Sequence, residues 1–227
     1  LVPDSAQGLY VPAYVIYGDE ERGIEPMAPE LKTVADLLKY SDVFPDDEDP
    51  SKGRIYGSIP GWMADEILYA KYEYYNLDDK FTYTRLGSEA ALFASLASAY
   101  NLGDPWVGYC YEPTWITGQL DLILLEDEPY DPELFEAGQC EFPKQALKIV
   151  SSKYFAEKAP DLAEFFKKYK TGSELISEAL AYLIENQGLS YEQVAVWLLT
   201  QHDELLDEWL PAENASNVRA ALKSYGQ

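Results

Sequence analysis

Nitrogen and sulfur ligands are scarce in this sequence, with one histidine, His202, and two cysteines, Cys110 and Cys140, among 227 residues. A zinc site draws its ligands chiefly from those two residue types, so no metal is expected. Two cysteines cannot build a disulfide scaffold. A Cys110–Cys140 bridge in an exported chain and a pair of buried thiols stand as even alternatives. Positive charge is equally short: 17 Lys and Arg face 40 Asp and Glu, a formal net charge of −23. The resulting field repels phosphate backbones and anionic lipid surfaces, which excludes nucleic acid as a partner. No apolar run approaches the roughly 20 residues that a membrane-spanning helix needs. No signal peptide is visible, and Leu1 in place of a start Met marks the chain as a processed or excised piece.

Catalytic patterns are missing as well. There is no Gly-x-Ser-x-Gly elbow and no nucleophile with an evident base, so no catalytic residue, enzyme activity or cofactor is expected. His202 sits in the polar run Gln201-His202-Asp203-Glu204 and reads as a surface residue. The carboxylates between Glu126 and Glu136 do not have EF-hand spacing. Asn214-Ala215-Ser216 fits the glycosylation acceptor, a pattern too common by chance to weigh.

Apolar residues make up 47% of the chain and charged residues 25%, a globular composition long enough for one large domain or two lobes. Leu9 to Tyr17, rich in Tyr and Val, reads as a strand that Pro12 confines to an edge or an irregular start. A helix capped by Thr33 follows to Tyr40, and the acidic stretch from Pro45 to Pro50 reads as a solvated turn. Arg54 to Gly57, Phe81 to Leu86 and Trp106 to Tyr111 read as strands, separated by helices over 63–75 and 88–100. That alternation predicts an α/β lobe with a largely parallel sheet. Leu120 to Leu125 and Ala146 to Val150 add two strands. Helices then follow from Pro160, Ser173, Ser190 and Pro211, with Gln193 at the capping-box position after Ser190.

Two aromatic stretches stand at predicted junctions of strand and loop: Ser58-Ile59-Pro60-Gly61-Trp62-Met63-Ala64 and Gly108-Tyr109-Cys110-Tyr111-Glu112-Pro113-Thr114-Trp115. In α/β sheets ligands sit beyond the carboxyl ends of strands. The first helical N–H groups after Gly61, those of Met63 and Ala64, have no partner within a helix and favour an anion. Asp65 and Glu66 lie in the same turn and compete for those groups. Trp62, Tyr109, Tyr111 and Trp115 supply π faces that attract a quaternary ammonium, against the alternative of aromatic core packing. Strand alternation puts Tyr109 and Tyr111 on one face and Cys110 on the other. Together the two stretches point to a ligand with a cationic head and an anionic tail.

At these residues the sequence resembles the substrate-binding proteins of glycine betaine, choline and proline betaine ABC transporters. The resemblance rests on Pro60 to Ala64, on Tyr111-Glu112-Pro113-Thr114-Trp115, on Ala159-Pro160-Asp161-Leu162-Ala163-Glu164-Phe165-Phe166, and on Gly8 to Val15. It implies a type II periplasmic-binding-protein-like α/β fold, two lobes with a hinged cleft that closes on a compatible solute. Residues 1–16 would be the crossover strand and a remnant of the first lobe, 17–145 the second lobe, and 146–227 the return to the first lobe with the C-terminal helices. Trp62 and Tyr111 would be cage aromatics, and the amides of Met63 and Ala64 the carboxylate site. Gly61, Tyr109 and Trp115 are further candidates, Trp115 as support for its motif. Where the family has Trp, this chain has Tyr111, which alters the size and polarity of the cage. The first strands and helices of the family's first lobe, with their own aromatic contribution, are not in the sequence. The implied role is extracytoplasmic capture of a glycine betaine-like quaternary-ammonium solute and its delivery to a membrane permease. Choline, carnitine, another betaine or a sulfonium osmolyte are alternative ligands, and a ligand-sensing lobe without transport is an alternative role.

Overall fold

A computed structural model of the chain describes residues 1–225. The elements begin with β1 (Val2–Ser5), β2 (Gln7–Pro12), α1 (Ala13–Tyr17), β3 (Gly53–Tyr56) and α2 (Met63–Tyr74). They continue with β4 (Phe81–Thr84), α3 (Glu89–Leu102), β5 (Gly108–Tyr111), α4 (Trp115–Gln119), β6 (Leu122–Leu124) and β7 (Gln145–Leu147). Helices complete the chain: α5 (Phe155–Lys158), α6 (Pro160–Lys168), α7 (Ser173–Glu185), α8 (Tyr191–Gln201), α9 (Leu205–Trp209) and α10 (Ala212–Tyr225). They form two compact units, one of residues 1–5, 113–119 and 145–227, the other of residues 6–112 and 120–144.

The larger unit, residues 6–112 and 120–144, is built on a five-stranded sheet in the order β4-β3-β5-β2-β6. β3 runs parallel to β4 and to β5, pairings that require long crossovers such as those through α2 and α3, while β2 is antiparallel to both β5 and β6. Two expectations are corrected here. The strand at residues 9–17 ends at Pro12, whose φ of −57° suits a helix entry, and residues 13–17 form α1. β2 lies between β5 and β6 and is no edge; Pro12 is tolerated as its last residue, paired with Leu122. The sheet is therefore mixed, with its parallel part confined to β3, β4 and β5. Val11, Ile55, Phe81, Leu92, Phe93 and Leu96 are buried in the core between sheet and helices.

Local signals hold this unit's periphery. Residues 34–39 form a 3₁₀ turn, tighter than the expected helix, closed by a capping box: Thr33 Oγ1 accepts from Asp36 N–H and the Asp36 carboxylate accepts from Thr33 N–H. Lys71 on α2 is buried against Asp127 and also donates to the carbonyls of Gly138 and Cys140, at 3.2 and 2.7 Å. No disulfide joins Cys110 to Cys140; both are buried, and Cys140 Sγ lies 3.4 Å from both the N–H and the carbonyl of Asp131. The bridge is thus set aside in favour of thiols.

The smaller unit pairs β1 antiparallel with β7 and packs seven helices among its described residues. β7 covers 145–147, shorter than the expected strand, and Val150 beyond it is 89% exposed. Asp4 accepts from the N–H of Ser173 at 2.9 Å and so satisfies the start of α7. Gly118 lets α4 press onto α7, since a Cβ there would meet Ser177 O at 2.2 Å. Pro160 opens α6 and the Ser190–Gln193 capping box opens α8, as their residue types require. His202 is partly exposed, with Nε2 2.9 Å from Glu178 Oε2.

Candidate ligand-binding site

In the larger unit the chain leaves β3 for β4 on one side, then crosses to β5 on the other. The carboxyl ends of β3 and β5 thus flank a topological switch point, where α/β sheets bind ligands. The segment after β3 turns at Gly61, whose φ of +88° lies in the left-handed region that glycine adopts without steric cost. Trp62 N–H donates to Ile59 O at 3.0 Å, which tightens that turn, and α2 begins at Met63.

Trp62 stands at the N-cap of α2 and offers no side-chain cap to the helix. Asp65 N–H closes onto Trp62 O at 3.0 Å. Among the described residues nothing accepts from the N–H of Met63 or of Ala64. The expected competition is resolved by where Asp65 points. Its buried carboxylate turns to Arg85, with Nε at 2.8 and 3.0 Å, and accepts from Tyr83 Oη at 3.0 Å. Glu66 stays exposed. The positive end of α2 is therefore left with two open donors.

The ring of Trp62, a residue 39% exposed, meets that of Tyr111 edge-on, with centroids 6.1 Å apart and planes at 62°. Tyr111 closes β5, and its ring also contacts Tyr109 at 5.9 Å and Phe93 at 6.0 Å. Its hydroxyl donates to Glu89, the first residue of α3, itself capped by Ser88. Burial first, and the neighbouring Glu89 carboxylate second, push the Tyr111 phenol far above its ordinary pKa. The hydroxyl thus remains a donor at any physiological pH.

The other candidates take different places. Tyr109 shares the face of Tyr111, as alternation predicts, but it is buried and its hydroxyl donates to Gln7 at 2.9 Å. Its position is that of backing for Tyr111. Met63 is 58% exposed and Ala64 is buried, and what this turn leaves without an acceptor is their two amides. Trp115 begins α4 in the smaller unit. Sequence reasoning missed Glu89, Tyr83 and Arg85. Arg85 was visible as a cation immediately after a parallel strand, and Glu89 as an acidic residue following a helix cap, but neither has a signature that names its partner.

This α/β fold is that of the type II periplasmic binding proteins. Among solved structures it is similar to a glycine betaine, L-proline ABC transporter binding protein (ProX) from Borrelia burgdorferi. The two share 19% identity and a TM-score of 0.53, covering 95% of this chain and 69% of the other. It is likewise similar to an ABC-transporter choline-binding protein in complex with choline, at 19% identity and TM-score 0.53, over 97% of this chain and 70% of the other. Residues 1–201 match the family described as the substrate binding domain of ABC-type glycine betaine transport system, and the chain belongs to that family.

Two relatives show how far the likeness runs. The glycine betaine/proline betaine-binding periplasmic protein of Escherichia coli (strain K12) is 28% identical over 127 residues, 51% of this chain and 38% of its own. The glycine betaine-binding periplasmic protein OusX of Dickeya dadantii (strain 3937) is 26% identical over 183 residues, 73% of this chain and 54% of its own. The matched chain thus spans about half, or less, of these relatives' lengths. No helix among the described residues is long and apolar enough to cross a membrane.

Proposed function

We propose that this chain is the solute-binding component of an ABC importer and captures a quaternary-ammonium compatible solute of the glycine betaine type. The observation that carries the reading is the pairing of two chemistries at one turn. Trp62 and Tyr111 set π faces edge to face at 6.1 Å, and the next two residues, Met63 and Ala64, hold open amides at a helix N-terminus. A trimethylammonium group makes no hydrogen bonds and is held by aromatic faces. A carboxylate is held by N–H groups at the start of a helix. Family membership and relatives named as betaine-binding periplasmic proteins support the same ligand class.

The role is binding without turnover, outside the cytoplasm, with a membrane permease as the partner that receives the ligand. The larger unit corresponds to the family's second lobe and the smaller unit to the part of the first lobe that this chain carries. Calorimetry of the intact protein against glycine betaine, proline betaine, carnitine and choline tests the reading. Heat of binding for a quaternary ammonium, with the ligand recovered unchanged, is the expected result. Absence of binding across the panel would overturn it, and conversion of any ligand to a product would replace it with an enzyme.

A further inference from the structure

Asp65 is an unusual occupant of its position. It sits in the first turn of α2, where an acidic side chain ordinarily serves the helix's own unpaired N–H groups. Here its side chain, only 9% exposed, faces Arg85 and Tyr83. The Arg85 guanidinium lies over two rings, 4.8 Å from the centroid of Tyr69 and 4.7 Å from that of Tyr83. Tyr83 is held in turn against Gly57, where a Cβ would come within 2.3 Å of its ring. β4 and the residue after it therefore deliver a phenol and an arginine to the buried one of the two carboxylates in the first turn of α2, while Glu66 stays exposed.

We infer that the Asp65–Arg85–Tyr83 cluster sets the ligand class of the neighbouring site, selecting a zwitterion that carries a carboxylate over a plain cation such as choline. The inference rests on the reading of Trp62, Tyr111 and the α2 amides given above. A carboxylate in the first helical turn affects an incoming anion in two ways: it repels the like charge, and it can fold back to accept from the amides itself. Arg85 opposes both, because it neutralises the charge and fixes the side chain away from Met63 and Ala64. The open donors then favour a ligand with an anionic end. A ligand without one leaves them unpaired on desolvation, which costs affinity. Asp65, Tyr83 and Arg85 are positioning residues in this scheme, since their effect passes through the amides.

The test compares the intact wild-type protein with Arg85→Leu, Arg85→Lys and the double variant Asp65→Leu with Arg85→Leu. The double variant removes both charges and leaves an apolar pair in their place, which keeps the comparison available if a lone buried carboxylate harms folding. One readout needs no ligand: hydrogen exchange of the Met63 and Ala64 amides, followed by NMR. Fast exchange in the wild type, slowed in Arg85→Leu and restored in the double variant, is expected. The second readout is the ratio of affinities for glycine betaine and choline. Arg85→Leu should lower that ratio roughly tenfold by weakening glycine betaine alone. Arg85→Lys and the double variant should recover most of it.

A wild type that prefers choline would overturn the inference and leave the proposed function standing. So would an Arg85→Leu variant whose two affinities fall together. If the wild type binds no quaternary ammonium, the proposed function fails. Amide exchange then decides the cluster's role alone, and exchange unchanged in Arg85→Leu overturns it.

Discussion

At the scale of residues, the proposed site puts Tyr111 and Trp62 at its cationic end. Tyr111 adds to its π face a hydroxyl that needs a partner in a half-buried setting. Glu89 supplies it. A desolvated aromatic face contributes about 0.5–2 kcal/mol to holding a cation, so Trp62→Ala or Tyr111→Ala should each weaken glycine betaine binding by roughly 2- to 30-fold. Tyr111→Phe keeps the face and should lose less than Tyr111→Ala. Trp115→Ala, at a residue read as support for its motif, should leave affinity near the wild-type value. Calorimetry on the four variants checks the assignment, and equal losses for Tyr111→Ala and Trp115→Ala would contradict it.

Elements were legible where the sequence carries local punctuation. Gly61, Pro160, Ser88 and the Ser190–Gln193 pair mark a turn and three helix starts that the fold keeps. The misread segment was 9–17, where Tyr and Val favour a strand yet residues 13–17 coil into α1, buried but for Tyr17, so packing overrode propensity. The antiparallel insertion of β2 between β5 and β6 had no local signal, because strand order is settled by long-range pairing. The geometry of the candidate site was legible in part for the same reason. Trp62 and Tyr111 could be picked out as aromatics at strand ends, whereas the partnership of Asp65 with Arg85 joins residues from two elements whose adjacency only the folded sheet creates.

One element also makes a pH prediction. The Asp36 carboxyl, bonded first to Lys39 and also to Thr33, has its pKa lowered to about 2 in the folded protein. The ordinary value is 3.8, so the bonds of Asp36 to Lys39 and Thr33 contribute their stability above about pH 4 and lose it as pH falls through about 2. Thr33→Ala should cost about 1 kcal/mol at neutral pH. Asp36→Asn should flatten the wild type's fall in stability between pH 4 and 2. Denaturant titrations at a series of pH values check both, and an unchanged acid slope in Asp36→Asn would show that other carboxylates carry it.

For the whole molecule, the charge of −23 and the site chemistry address different matters. The net charge keeps polyanions away. It does not name the ligand, which in the proposed function depends on a few groups at the switch point of the larger unit's sheet. The central claim is that the positive charge of the ligand head is what Trp62 and Tyr111 recognise. The most direct measurement compares glycine betaine with tert-butylacetate, which keeps the three methyl groups and the carboxylate and replaces the ammonium nitrogen by carbon. Glycine betaine should bind the intact protein at least roughly tenfold more tightly, because the neutral head forgoes the cation–π attraction. Equal affinities for the two compounds would contradict the account.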